Sequence, residues 1–388
     1  MAVTGFLPAE AVRRVREHSQ RPEGRPGPDV VGLHLGEPSY QTPEFVLTAM
    51  DEALRAGYTH YAHPQGDPEL KRALAERLNK LNRAGSFAPD DIVITSGGSA
   101  ALGAALLAVV RGGDRVVVPE PTYSLYADIV RLAGGTPVPV RCRPDLGLDL
   151  EAIDAAAPGA RLVALCNPVN PTGAVFDAPE LTELARIARR HDLLVLADEA
   201  YDQISYTPRF ASTLDVPELA DRLIYCQTFS KSYAMTGWRL GYVAAPTEIS
   251  KAVAVVHRTF NSSVNAAVQR AGLAALADDN RWPAARLADY RRRRDLVVRR
   301  LAGVPGVSLA EPQGTFYAFV RYAAPVPAHE VVALALRRKV GLRAGTEFGE
   351  PGQGHVRLSF SVPDAELEDG LSRLRRLFAD LDDGLRRP

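Results

Sequence analysis

The sequence is short of cysteine, of lysine and of net charge. Its three cysteines, Cys142, Cys166 and Cys226, stand far apart, with no C-x-x-C spacing and no clustered histidines beside them. They frame neither a disulfide scaffold nor a zinc site. Acidic and basic residues balance at 46 each. Zero net charge argues against nucleic acid or an anionic membrane as partner, because both demand a basic excess or a basic patch. Apolar runs are short as well. The longest, about Ala100 to Val110, cannot span a bilayer, and Arg13, Arg14 and Arg16 interrupt the N-terminus before any stretch of signal-peptide length. These absences predict a cytoplasmic protein that handles small molecules.

Among the 46 basic residues the lysines are only Lys71, Lys80, Lys231, Lys251 and Lys339. Four of them lie in amphipathic helical stretches, where a solvated face is expected. Lys231 differs. It follows the apolar run Leu223–Cys226 in Thr228-Phe229-Ser230-Lys231-Ser232-Tyr233, where the chain leaves a buried strand. Desolvation there lowers an amine's pKa and frees it as a nucleophile.

A length of 388 residues suggests two or three domains. Residues 1–40, with Pro22, Pro26 and Pro28, read as an irregular surface segment. Thr42 as N-cap with Pro43 behind it predicts a helix through Arg55, stopped by Gly57, and Asp67-Pro68 opens a second, to about Asn82. From Asp91 the pattern changes to short runs that are apolar at successive positions: Ile92–Thr95, Val116–Val118, Leu162–Leu165, Leu193–Ala197, Leu223–Cys226 and Leu240–Ala244. Such runs suit strands covered on both faces, as in a mostly parallel α/β sheet. After Trp282 comes a long charged helix whose Arg291–Arg294 run reads as a solvated face. Strands near Thr315–Val320 and Val356–Phe360 follow, giving a smaller α+β unit.

Three further segments sit at the carboxyl ends of predicted strands, where open α/β sheets bind ligands. Thr95-Ser96-Gly97-Gly98-Ser99-Ala100 joins a strand to a helix through glycines, which lets backbone N–H groups close on a phosphate. Neither the P-loop nor the G-x-G-x-x-G pattern is present. Asp198, in Ala197-Asp198-Glu199-Ala200-Tyr201, is a strand-end carboxylate that needs a cationic partner or else caps a turn. Asn167-Pro168-Val169-Asn170-Pro171-Thr172-Gly173 is a stiff loop able to hold the Asn170 amide rigid.

In this order the segments resemble the class I/II aminotransferases, the fold-type-I family dependent on pyridoxal 5′-phosphate (PLP), in its aspartate-aminotransferase-like branch. The resemblance rests on the Asn-Pro-x-Asn-Pro-Thr-Gly loop, on Asp198-x-x-Tyr201, and on Ser230-Lys231 with Arg239 eight residues on, and it covers nearly the whole chain. It implies a large PLP-binding domain over 41–280 with a mostly parallel mixed sheet in αβα layers. A small C-terminal α+β domain over 281–388 would be joined by the segment 1–40.

The resemblance also implies residue roles. Lys231 would hold PLP as a Schiff base and shuttle a proton. Asp198 would pair with the pyridine nitrogen, and Tyr201 and Asn170 with the O3′ oxygen. Gly98, Ser99, Ala100, Ser230 and Arg239 would cradle the phosphate, and Tyr123 would stack on the ring. Arg357, opposed by the Gly36 backbone, would clamp the substrate α-carboxylate. Tyr61 would reach the phosphate in a neighbouring subunit, which makes the active unit a homodimer. His60 and His63 flank it without the further ligands a metal needs.

The implied activity is ping-pong transfer of an α-amino group from an amino acid to a 2-oxo acid. The same scaffold hosts elimination, cyclisation and oxidation of amino acids, which stay as alternatives. Related PLP-binding regulators carry an added DNA-binding domain, for which 40 irregular N-terminal residues leave no room. Family members that prefer acidic substrates often add a basic residue for the side-chain carboxylate, and one such place holds Ser99 here.

Overall fold

The computed structural model describes residues 9–19, 27, 29–81 and 86–386. Among the described residues eleven strands form two sheets. The larger contains β1 (Ile92–Thr95), β2 (Arg115–Glu120), β3 (Thr136–Arg141), β4 (Ala160–Cys166), β5 (Leu194–Asp198), β6 (Leu223–Thr228) and β7 (Gly241–Ala244) in the spatial order β1-β7-β6-β5-β4-β2-β3. Neighbours from β6 to β3 run parallel, while β7 is antiparallel to both β6 and β1. The smaller, all-antiparallel sheet contains β8 (Val307–Leu309), β9 (Tyr317–Tyr322), β10 (Arg343–Ala344) and β11 (His355–Ser359), ordered β10-β11-β9-β8.

The successive-apolar pattern has the expected cause. Val117, Val163, Val195 and Tyr225 enter one buried cluster, while Val116, Leu162, Leu196 and Ile224 enter another on the opposite face. Side chains alternate across a pleated sheet, so a strand buried on both faces must be apolar throughout. A third cluster joins Phe316, Tyr317, Leu358 and Phe360 to Leu33 and Tyr201, welding the smaller sheet to the N-terminal segment and to the chain just after β5.

Among the described residues five α-helices precede β3: α1 (Glu10–His18), α2 (Glu44–Arg55), α3 (Pro68–Leu81), α4 (Gly98–Val109) and α5 (Leu125–Leu132). The irregular reading of residues 1–40 is corrected by α1, whose Arg14 Nη2 donates to the Gly135 carbonyl at 3.0 Å and which is followed by Ser19, bonded to Asp128 at 3.2 Å. Pro22, Pro26 and Pro28 lie outside the described residues. Val31 forms a parallel bridge with Val340 at the rim of the smaller sheet.

The start of α2 is also corrected. Pro43, not Thr42, occupies the N-cap, because the Thr42 hydroxyl donates to the Ala234 carbonyl at 2.8 Å and so ties the helix entry to the loop after Lys231. The α3 signal was sound, with Asp67 Oδ1 accepting from the Glu69 amide at 2.8 Å. Lys71 is not on a solvated face: it is buried, its Nζ lies 3.7 Å from Asp90 Oδ1, and desolvation pushes its pKa down. Within the arginine run only Arg291 and Arg292 face solvent. Arg293 is buried, donating through Nε to Asp364 at 2.9 Å and through Nη1 to Ser39 at 3.0 Å.

Candidate active site

The carboxyl ends of β1, β4, β5 and β6 and the start of the antiparallel β7 meet along one edge of the larger sheet. A cavity of about 400 Å³ opens there against the smaller sheet. Lys231 lies in a one-turn helix, Phe229–Ser232, which follows β6 directly and is capped by Thr228 Oγ1 accepting from the Ser230 amide at 3.1 Å. Its Nζ donates to the Gly36 carbonyl at 2.6 Å. Burial pushes the amine down to about 8, with Arg357 and Arg239 adding to the effect and Glu37 and Asp198 opposing it.

Asp198 ends β5 and is buried. Tyr126 Oη donates to its Oδ2 at 2.8 Å and the Ala200 amide to Oδ1 at 3.2 Å, yet burial raises its pKa. A carboxylate so placed is completed by a positive partner in the cavity. Tyr201 Oη shares a hydrogen bond of 3.0 Å with Tyr317 Oη. Tyr123 lines the cavity and meets Tyr126 edge to face, with ring centroids 5.8 Å apart.

Arg357, in the middle of β11, is buried with its guanidinium 4.2 Å from the centre of the Tyr317 ring. Its Nη1 donates to Asn170 Oδ1 at 3.0 Å and its Nη2 to the His34 carbonyl at 2.7 Å. Only glycine fits beside it at position 36, since a Cβ there would stand 2.1 Å from Tyr317 Oη.

The helix α4 begins at Gly98 with Gly97 as N-cap at φ +89° and no capping side chain, so the dipole and the first amides of the helix face the cavity edge. A Cβ on Gly97 would lie 2.5 Å from Arg239 Nη2. Arg239 and the turn therefore close on each other as a pocket for an anion. Ser99 and Ser230 line the same end of the cavity, and Ala100 follows in the first turn of α4.

These groups fit pyridoxal phosphate on chemical grounds. A depressed amine suits its aldehyde, an anion pocket its phosphate, and a buried carboxylate its ring nitrogen. Among the described residues no group of three His, Cys, Asp or Glu side chains is placed to hold a metal ion, and no helix is long and apolar enough to cross a membrane.

The structure brings together Gly36, Gly98, Ser99, Tyr123, Asn170, Asp198, Tyr201, Ser230, Lys231, Arg239 and Arg357. It leaves Tyr61 apart: the residue is 92% exposed, in a separate hollow with Tyr58, His60 and Asn265. Sequence reading missed Tyr126, Tyr317 and Arg343. Tyr317 carried a faint signal in the aromatic pair Phe316-Tyr317 after Gly314, but Tyr126 and Arg343 sit in an ordinary helix and a two-residue strand without any motif.

A two-sheet α/β molecule with an activated lysine, a strand-end aspartate and an anion-binding helix start is a fold-type-I enzyme dependent on pyridoxal phosphate. The chain matches the family Aminotransferase class I and II over residues 28–374, and it belongs to that family. It is 36% identical to a putative aminotransferase, YugH, of Bacillus subtilis, across 89% of this chain and 91% of that one. The solved structure of the aspartate aminotransferase from Thermus thermophilus with maleate superposes with a TM-score of 0.86 at 33% identity, covering 95% of this chain and 94% of that one. The aromatic aminotransferase from Pyrococcus horikoshii gives 0.87 at 33%, covering 91% and 97%. The protein is an amino acid aminotransferase, a transferase of nitrogenous groups, with pyridoxal phosphate as cofactor.

Proposed function

We propose that the enzyme exchanges the α-amino group of an amino acid for the oxo group of a 2-oxo acid in two half-turnovers at this cavity, working as a homodimer in the cytoplasm. The observation that carries this reading is the convergence of Lys231, Asp198 and Arg357 on one small cavity, with the lysine amine pushed down to about 8. Bound pyridoxal phosphate supplies an aldehyde for the amino group and a ring that accepts the electrons released when the substrate Cα loses its proton.

The chain's own residues supply the remainder. Arg357 takes the substrate α-carboxylate as a two-pronged donor, held in orientation by Asn170 and the His34 carbonyl, with the Gly36 backbone opposite. Near neutral pH a fraction of Lys231 is unprotonated, so its Nζ can take the Cα proton and later give it back. Asp198, its carboxylate fixed by Tyr126, would keep the ring nitrogen protonated. Tyr201 and Asn170 would serve the cofactor's O3′ oxygen, Tyr123 would pack on its ring, and Gly98, Ser99, Ala100, Ser230 and Arg239 would hold its phosphate.

Tyr61 belongs to the neighbouring subunit's site in this reading. Its exposure, shared by Leu54 and Phe260, supports burial between two copies. A hollow of about 820 Å³ bordered by Arg239, Trp238 and Asn265 is an open seat beside the phosphate end. The segments 41–280 and 281–388 act as large and small domains; of the segment before them, Val31 and Leu33 join the small one, while α1 lies on the large one.

The test mixes holoenzyme with one amino acid at a time and no oxo acid. One equivalent of 2-oxo acid per site, with no free ammonia, is expected. Ammonia released over many turnovers would replace transamination by elimination or oxidation. Lys231→Ala is expected to abolish the half-turnover.

A further inference from the structure

The turn before α4 is braced from behind by a residue that no motif announced. His257 lies in the helix Thr247–Asn261, which packs along α4. Val253 and Ala254, one turn earlier, enter the buried cluster that holds Ala101, Leu102 and Ala105 of α4, and His257 continues that face as far as the turn. The residue is fully buried, and its Nε2 accepts from the Ser96 amide at 3.1 Å. It is no part of the cavity lining.

That one bond settles where the ring's proton sits. A backbone N–H can only donate, so Nε2 carries the lone pair and Nδ1 the hydrogen. A charged ring would set one donor against another and lose the contact. The neighbouring residues of the turn are engaged too. The Gly97 amide bonds to the Thr95 carbonyl at 2.7 Å, and Thr95 Oγ1 donates to the Gly97 carbonyl at 3.3 Å. From this turn α4 departs with first amides that have no partner within the helix. Gly97, at φ +89°, gives the turn little stiffness of its own. Without an acceptor behind it the Ser96 peptide is free to rotate, and the amides that follow are re-aimed.

The surroundings keep the ring neutral. The helix Thr247–Asn261 packs on α4, β1, β7 and the turn Pro89–Asp91. Neither α4 nor β1 bears a titratable side chain. Tyr242 of β7 belongs to the cluster on the opposite face of the sheet. Asp91 accepts from Thr247 at 2.6 Å at the far end of the helix, and Asp90 faces Lys71. Glu248 pairs with Lys251, Arg258 is exposed, and Arg239 meets the turn at Gly97. Burial alone acts on the imidazole and pushes its pKa below the ordinary 6.5.

Resting on the phosphate assignment made above, we propose that His257 is a positioning residue for the cofactor: as a neutral acceptor it holds the Ser96 amide and so sets the turn whose following amides bind the phosphate.

The experiment titrates cofactor-free protein with pyridoxal phosphate and with pyridoxal, followed by fluorescence at pH 8, in wild type, His257→Gln, His257→Asn and His257→Leu. Glutamine brings an amide oxygen to the place of Nε2, asparagine is too short to do so, and leucine has no acceptor. Affinity for pyridoxal phosphate should fall about tenfold or more in the Asn and Leu variants and stay within about threefold in the Gln variant, while affinity for pyridoxal changes less than about threefold throughout. If His257→Leu does not fold, His257→Asn carries the comparison. The wild-type ring gives an independent reading. In nitrogen-15 NMR of histidine-labelled protein, with the Gln variant assigning the signal, His257 should carry its proton on Nδ1 and stay neutral at pH 6.5. A proton on Nε2, full affinity in the Asn variant, or equal losses for both ligands would each overturn the proposal. A wild type that binds the two ligands equally would remove the phosphate assignment itself and this role with it, whereas a preference for pyridoxal phosphate undiminished in every variant overturns the role of His257 alone.

Discussion

At the scale of single residues, the decisive quantity is the proton affinity of Lys231. Its ordinary value is 10.5, and burial brings it to about 8. The amine is protonated below that value and free above it. Capture of the cofactor aldehyde by cofactor-free protein should therefore accelerate as pH rises through about 8 and level off above. Stopped-flow absorbance from pH 6.5 to 9.5 reads this directly, and a flat profile would contradict it. Glu37 opposes the depression by stabilising the charged amine. Glu37→Gln should accordingly move the midpoint below the wild-type value, the opposite of what loss of a merely structural contact to Thr236 would produce.

At the scale of elements, the start of α4 is a device made from two glycines and a distant arginine. Gly97→Ala would press a methyl into Arg239 and strain a left-handed φ of +89°. Affinity for pyridoxal phosphate is expected to fall about tenfold, roughly 1.4 kcal/mol, while affinity for pyridoxal, which has no phosphate, changes little. Fluorescence titration of the two ligands separates these outcomes; equal losses would mean a general collapse of the site. Such local devices were readable from the sequence because each motif is contiguous and tied to a strand end. Tyr126, Tyr317 and Arg343 were not, since they come from separate elements that meet only after the two sheets pack.

The same logic explains the errors in the elements. The strand β3, Thr136–Arg141, went unread because Pro137 and Pro139 argue against a strand, but it is the edge strand of its sheet, where a missing N–H can face outward. Lys71 and Arg293 looked solvated because helical periodicity cannot reveal a carboxylate or hydroxyl waiting on another element. The six successive-apolar runs succeeded because burial on both faces writes itself into composition.

At the scale of the molecule, the homodimer reading makes each site depend on two chains. Lys231→Ala and Tyr61→Ala subunits, each impaired alone, should complement when dissociated and reassembled together. The hybrid then holds one site with Lys231 from one chain and Tyr61 from the other. A random mixture should recover at most about a quarter of wild-type activity, half the dimers being hybrid with one of two sites intact. No recovery, with hybrids verified by mass spectrometry, would remove Tyr61 from the shared site. Sedimentation should give a species near twice 41.9 kDa.

The contact between Lys231 and the Gly36 carbonyl reaches further than its 2.6 Å suggests. Five residues before Gly36, Val31 is stitched to Val340 on the smaller sheet, so the segment is a short tether with one end at the reactive amine and the other on the opposite body of the protein. Whatever engages the amine must let go of the tether, and by reciprocity whatever shifts the smaller sheet must change how readily the amine is engaged. The lysine is thus both a reagent and an anchor for the segment that runs to the smaller sheet.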